Sequence, residues 1–468
     1  MGHAAAPTTH SAAGAPPRIR TNDSFVASSV RRSLFVLFVV AVASLGAWPA
    51  FVSLRSGQAA ADALPSMAPV TADYRYRDKL VAFWEGAVRQ NARNDMLSPR
   101  VLADQYLQRY RETGDIDDVL RARRMAERSL QAQRVGNVPG DLVMAATLLT
   151  LHRFREARSF VRDAERYHPG DPSLTTREAS LDMELGEYEQ ARSLLAKVPH
   201  KAQAESEWQT VEARYEELTG HVADARRLIA APETTIDSNF SAPVQARAWY
   251  HFRAGELAFA TGDLDAAFAD EHVALEIFPR YADALRALAR FECADHRWSA
   301  CLADAAHSAE IVPFPETLGY EADAQRAIGE PDAANKTDRL IETIERIGNA
   351  QHISDRLLAV YYSEHRMHPG DALRIARREL LVRDDIYTQD TLAWAAAMAG
   401  RWDEARVAIA KAVRFDTEDS RLQYHAGEIA LHFGQTAEAK RRLQRSLALN
   451  AHFHPAYADD ARAELARL

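Results

Sequence analysis

Seventeen histidines and two cysteines are the residues of this chain best suited to chemistry. His425 and His432 stand seven apart, His452 and His454 share the run AHFHP, and His365 and His368 form a third group. Imidazole binds zinc or nickel with the ligand nitrogens about 2 Å from the ion. Seven residues of helix is about two turns, too far for one ion to join His425 and His432. His452 and His454 are close enough to chelate together and are the metal candidates. Their alternative role is a backbone hydrogen bond that orients the last helix. The chain has no Gly-rich phosphate loop, no nucleophile elbow and no HExxH. None of its carboxylates stands alone in an apolar run where a raised pKa could be argued. The expectation is a protein without catalytic step or cofactor.

What carries these residues is a recurring pair of short amphipathic helices. Ile386–Asp419 reads as two helices about a turn at Gly400–Arg401, with small residues eight in (Ala393) and twenty in (Ala405). Trp402 follows the turn, and Ile409 and Ala412 continue the second apolar stripe. This layout resembles the tetratricopeptide repeat, in which the helices approach so closely that only small side chains fit at those two places. The twentieth place recurs as Val119, Ala157, Ala191, Ala225, Ala267, Cys301, Ala334, Ala372, Ala405 and Ala439, at spacings centred on 34. The eighth holds Leu107, Ala145, Ala179, Ala213, Gly255, Ala289, Ala322, Val360, Ala393 and Gly427. A turn glycine recurs at 114, 186, 220, 262, 329, 400 and 434.

The fold expected from this resemblance is all-α: a right-handed superhelical solenoid of about ten helix–turn–helix repeats. A single N-terminal transmembrane or signal helix precedes it. Residues 1–32 read as a disordered cytoplasmic N-terminus, 33–54 as the membrane helix, 55–72 as a tether and 73–99 as a capping helix. In that cap Leu80, Phe83, Trp84, Ala87 and Val88 form the expected buried stripe. A first block of repeats covers 100–230 and a second 248–454, parted by a loop over 231–247, and 455–468 is the C-terminal cap. The widest spacing, 42 residues between Ala225 and Ala267, motivates that loop.

Ser33–Leu54 carries no charge, and Arg18, Arg20, Arg31 and Arg32 precede it. The positive-inside rule then keeps the N-terminus in the cytoplasm and sends everything after residue 55 outward. The Ala-rich stretch at 59–63 fits a signal-peptidase site, whereas the long basic leader and Trp48-Pro49 favour an uncleaved single-pass anchor. Either way the repeats face the periplasm or the exterior. Cys293 and Cys301 lie in one repeat on antiparallel neighbouring helices. They read either as a disulfide clip in an oxidising compartment or as two buried small hydrophobes. A formal net charge of -9 argues against a nucleic-acid partner.

Local phrases such as RETGDIDDVLRA (111–122) and YHAGEIA (424–430) resemble exported multi-repeat bacterial tetratricopeptide proteins. The resemblance implies a protein-interaction scaffold whose first helices line a concave, partner-binding surface. On this sequence that surface carries Trp249, Phe252, Glu256 and Phe259, then Arg286 and Arg290, Arg326, Tyr361, Tyr387, Trp394, Tyr424 and Glu428. About half of these should be exposed, the rest packing between helices. The Lys/Asn/Arg set of a carboxylate-clamp tail receptor is not supplied. The competing reading is a periplasmic metal-ion or small-molecule binder using the His-bearing C-terminal repeats.

Overall fold

The structure, a computed structural model, describes residues 73–91, 94–239, 241–350 and 356–468. The expected leader, membrane helix and tether, residues 1–72, lie outside the described residues. A cap helix, α1 (Arg77–Gln90), is followed by ten hairpins. The first five are α2 (Leu97–Thr113) with α3 (Ile116–Ala132), α4 (Val138–Thr150) with α5 (Phe154–Glu165), α6 (Pro172–Glu184) with α7 (Tyr188–Lys197), α8 (Ser206–Leu218) with α9 (Val222–Asp237), and α10 (Val244–Ala260) with α11 (Leu264–Ile277). The next five are α12 (Ala282–Ala294) with α13 (Trp298–Ile311), α14 (Pro315–Ala327) with α15 (Pro331–Ala350), α16 (Arg356–Glu364) with α17 (Pro369–Glu379), α18 (Ile386–Met398) with α19 (Trp402–Ala412), and α20 (Ser420–His432) with α21 (Thr436–Leu449). A last helix, α22 (Tyr457–Arg467), closes the other end.

The local causes repeat with the hairpin. Side chains of Asp115, Asn137, Asp171, Asp263, Asp385 and Asp419 accept from backbone N–H groups of the helices they precede. Each hairpin turn passes through at least one left-handed residue. It is glycine at all seven expected turn positions, and His152, His296 or Arg366 in the three hairpins that have none. The N–H five residues on then bonds back across the turn, as from Arg401 to the Ala396 carbonyl at 2.7 Å, and closes the first helix.

All ten residues at the twentieth place are 0% exposed. At the eighth place, a Cβ on Gly427 would meet Leu443 at 2.8 Å, so helix α20 touches α21 through its backbone. One register differs from expectation. In α16 the fully buried small residue is Ala359, and Val360 is half-buried. The turn there is left-handed at both Arg366 and His368, and it holds four residues where the other turns hold three or, between α2 and α3, two.

Three further expectations are corrected. Helix α9 runs on to Asp237 with Pro232 inside it, and α10 starts at Val244, so the expected 231–247 loop shrinks to the six residues between them. The cap is a 3-10 turn, Asp73–Tyr76, plus α1, and α2 already begins at Leu97. Finally, α1 buries Arg77, Val81 and Val88, while Leu80 and Phe83 face solvent. The reason is Arg77, which turns inward to pair with Glu112 at 2.8 Å and rotates the helix. Cys293 and Cys301 are joined by a disulfide, both fully buried between α12 and α13.

After about six hairpins the chain meets itself. The Ile386 N–H donates to the Tyr188 hydroxyl at 3.1 Å, Thr417 Oγ1 to the Leu218 carbonyl at 2.7 Å, and Asn450 Nδ2 to the Phe259 carbonyl at 2.7 Å. Ile386 and Leu422 join a core with Met183, Tyr188, Leu195 and Leu218. Turn edges of early hairpins thus seat against the connections between late ones. At Gly186 the seat is tight, since a Cβ there would run into the Asp384 carbonyl. Gly186→Ala should therefore cost more than the roughly 1–2 kcal/mol of left-handed strain that a non-glycine residue incurs. Gly400 is equally left-handed at φ +70 but has nothing within 4 Å, so Gly400→Ala supplies the strain alone. We expect the Gly186 variant to show the lower thermal midpoint and a larger radius of gyration by small-angle scattering; equal behaviour of the two would mean the contact does not hold the turns together.

Candidate functional site

First helices of the hairpins face the interior, and their aromatic side chains meet the neighbouring hairpins. Trp249, Phe252, Phe259, Tyr361, Trp394 and Tyr424 are all buried, Trp394 being 5% exposed. They form seams between neighbouring hairpins. Phe259 stacks on Phe291 at 4.2 Å, and Trp394 stacks on His425 at 4.2 Å while its Nε1 donates to the Tyr457 hydroxyl at 3.0 Å. Tyr424 stacks on Tyr457 at 4.6 Å, and the Tyr361 hydroxyl donates to Asp338 at 3.0 Å. The expectation that aromatics of this set present an open groove is thus corrected: they are the packing between units. Their side chains have large apolar areas to bury, and the face of the neighbouring hairpin supplies the surface that buries them.

Of the other members, Glu256, Arg286, Arg290 and Tyr387 stand at the interior wall, and Arg326 and Glu428 lie away from it. Glu256 pairs with Arg290 at 2.6 Å, and Arg286 bridges Asp283 and Glu316 at 3.1 and 3.0 Å. Tyr387 is half-buried beneath the Arg214 guanidinium, 5.4 Å from its ring centre. Arg326 is exposed, beside Asp323 and Asp338. Glu428 is half-buried among Glu464 and Asp460; burial, then those two charges, pushes its carboxyl up to about 7 against the pull of Arg366.

Glu256, Phe259, Arg286, Arg290 and Tyr387, together with residues that sequence reasoning passed over, line a cavity of about 180 Å³. Arg214 and Arg253 both reach Glu217 at 2.7 Å; burial opposes its charge, yet the two guanidiniums hold its carboxyl below the usual range. Arg421 meets Glu364 at 3.0 Å. Arg383 meets Glu184 at 2.6 Å and Asp385 at 2.5 Å, tying the two superhelical turns together. Burial works against the Asp385 charge, but Arg383 and Arg356 hold that carboxyl down to about 2. Arg214 and Arg421 stand at the ninth and second places of their hairpins, where the repeat register points inward, and could have been found by extending the register. Arg383 lies in a connection between hairpins, where no register applies.

The histidines are engaged in structure. His454 Nδ1 accepts the N–H groups of Ala456 and Tyr457 at 3.2 Å each, which starts α22, and its ring stacks on Tyr457. Burial, then Arg421, pushes its pKa well down, so it is neutral. His452 faces Asp295 at 3.3 Å, and His432 stacks on Trp402. Among the described residues no three His, Cys, Asp or Glu side chains converge to hold a metal.

Residues 148–215 match the family model described as tetratricopeptide repeat, a span running from the end of α4 into α8. No curated protein sequence matches the chain. Similar solved structures include yeast Tom70, at 11% identity over 79% of this chain and 96% of that one, TM-score 0.32. A second is YrrB, titled a TPR protein with an unusual peptide-binding site, at 15% identity over 44% and 96%, TM-score 0.25. A third is PilW, titled a widely conserved type IV pilus biogenesis factor, at 15% identity over 52% and 91%, TM-score 0.30. At these scores the fold rests on the hairpins themselves.

Two outcomes test the wall. His365 donates from Nδ1 to the Tyr361 carbonyl at 2.9 Å and from Nε2 to Asp323 at 3.0 Å. Burial lowers its pKa, but the Asp323 carboxylate and the Tyr361 carbonyl outweigh that and hold it up at about 9. A raised folded-state value means stability that is complete below the unfolded value near 6.5 and lost as pH rises through about 9. Urea unfolding at pH 6 and pH 9.5 should show a wild-type loss that His365→Gln reduces by on the order of 2 kcal/mol. Arg383→Met leaves Glu184 and Asp385 buried without their cation, and should cost about 3–5 kcal/mol in the same assay at pH 7.

Proposed function

We propose that the chain is a non-catalytic scaffold of the bacterial cell envelope, tethered to the inner membrane by residues 33–54. Its repeat body faces the periplasm and holds a protein partner there. The basic leader before an uncharged apolar run supports that orientation, and a buried disulfide suits a compartment outside the reducing cytosol.

The partner-binding surface in this reading is the outside of the ring, because the interior cavity is too small for a helix of about 10–12 Å diameter. The observation that carries the reading is a solvent-facing stripe that runs from the end of the 3-10 turn onto α1. Tyr76, Leu80 and Phe83, at helical spacing, are 51%, 41% and 65% exposed. Single exposed apolar residues are ordinary, but three aligned with two aromatics among them form an anchor set of the kind that dominates protein interfaces. The stripe lies at the end of the body closest in sequence to the proposed membrane helix, so the partner is a neighbouring envelope protein. The His-based metal reading has no comparable support, as His452 and His454 are occupied with Asp295 and α22.

A photoreactive side chain placed at Phe83 of the full-length membrane-bound chain should give one discrete protein crosslink. The same group at Val407, which is 61% exposed on α19, should not. Tyr76→Ser with Leu80→Ser should remove the product without shifting the thermal midpoint, each anchor contributing about 2 kcal/mol or more to binding. Crosslinks to lipid alone, or identical products from both positions, would overturn the reading.

A further inference from the structure

The interior cavity is lined by seven arginines and by the five carboxylates of Glu217, Glu256, Glu316, Glu418 and Asp419. Arg383 is 1% exposed, and its Nη1 has no hydrogen-bond partner among the described residues although its other nitrogens meet Glu184 and Asp385. Ser420, 5% exposed at the first position of α20, lines the same cavity with an unpartnered Oγ. Arg356, the first residue of α16, lines it as well, with an unpartnered Nε and no ion-pair partner among the described residues. Every other arginine on this wall has a carboxylate in contact.

Arg356 is half-buried, and a guanidinium drawn partly out of water without a counter-charge is costly, since no anion repays its desolvation. Burial and then Arg383, with Arg421 adding to it, push Arg356 down from the usual arginine range, while Asp385 and Glu379 oppose them. Water filling the cavity would answer the open hydrogen bonds but leave the like charges facing one another. A carboxylate or phosphate would answer both, because its oxygens match the guanidinium fork and carry the missing charge.

We propose that the cavity is a binding site for a small organic oxyanion. Arg356 receives its carboxylate or phosphate group, Arg383 Nη1 and Ser420 Oγ supply further donors, and the rings of Tyr387 and Phe453 line the space beside the rest of the ligand. The space of about 180 Å³ corresponds to several waters at roughly 30 Å³ each. It admits a di- or tricarboxylate or a sugar phosphate and excludes a peptide helix. Because the lining comes from α8, α10, α12, α14, α16 and α20 together, an occupant would also pin the two superhelical turns to each other.

The test is titration calorimetry on the full-length chain with citrate and, separately, inorganic phosphate, at ionic strength matched with potassium chloride. At least one should give a saturable isotherm near one to one and raise the thermal midpoint with concentration; the tighter of the two tells carboxylate from phosphate chemistry. Arg356→Gln should bind roughly tenfold or more weakly. Without ligand it should unfold at the same temperature as wild type or higher, because it removes an unpaired cation. Ser420→Ala should weaken binding by a few-fold with an unchanged midpoint. Heats of dilution alone from both probes would overturn the proposal, as would equal affinity in Arg356→Gln. A lower ligand-free midpoint for Arg356→Gln, or its failure to fold, would also overturn it, since Arg356 would then be serving the fold.

Discussion

Two helices of each hairpin lie nearly backbone to backbone, and the rest of the molecule follows from that distance. The ten residues at the contact are fully buried and, Val119 apart, no larger than cysteine. Where glycine holds the facing place, at Gly255 and Gly427, an added Cβ would strike the partner helix. Small contacts fix the pitch between helices more tightly than large ones, because a methyl group has no rotamers with which to accommodate a shift. Each unit then presents nearly the same face to the next, and a small constant rotation accumulates along the chain.

That rotation brings the chain back on itself. The inward aromatics pack between consecutive units, and the return adds contacts at the turn edges. Here Trp394, Tyr424 and Tyr457 pack on one another, and the turn at Gly262 lies against the connection at Asn450. Contacts between successive turns reuse groups that a solenoid leaves unpaired at its edges, such as the carbonyls of Leu218 and Phe259. A buried backbone carbonyl must find a donor somewhere, and side chains nearly two hundred residues away supply it here.

What the aromatics leave at the centre is charge. Alternating arginines and carboxylates on the inward places pair across hairpins, from Arg253 to Glu217 and from Arg286 to Glu316. Such pairs add little net stability over an apolar filling, since desolvation offsets most of the attraction. Their value lies in direction: an ion pair holds only when both partners are in register, so a slipped hairpin would strand a charge. Arg383, caught between Glu184 of one turn and Asp385 of the next, imposes that condition on the closure itself.

Sequence alone determined the repeating unit, because a helix contact that tolerates only small residues must show the same small residue at a fixed spacing. Ala157, Ala191 and Ala405 carry that signal, and the turn glycines repeat it through the left-handed backbone they permit. The absent glycine at residue 366 and the extra residue in its turn moved the contact from Val360 to Ala359, a shift of one that no fixed spacing could register. Sequence equally left Cys293 and Cys301 open between bonded and free, since eight residues apart does not fix two side-chain vectors. Tertiary structure alone decided that Trp249 and Trp394 are core, that α1 turns Phe83 outward, and that Arg356 lies beside Arg383. Trp394 meets the next unit, Arg77 turns α1, and Arg356 meets the connection that follows its own hairpin, whereas the seats of Gly186 on Asp384 and of Gly262 on Asn450 are consequences of the angle summed over about six hairpins. A periodic sequence specifies each step of such a sum, whereas its total, a few degrees per step multiplied along the chain, exists only in the folded molecule.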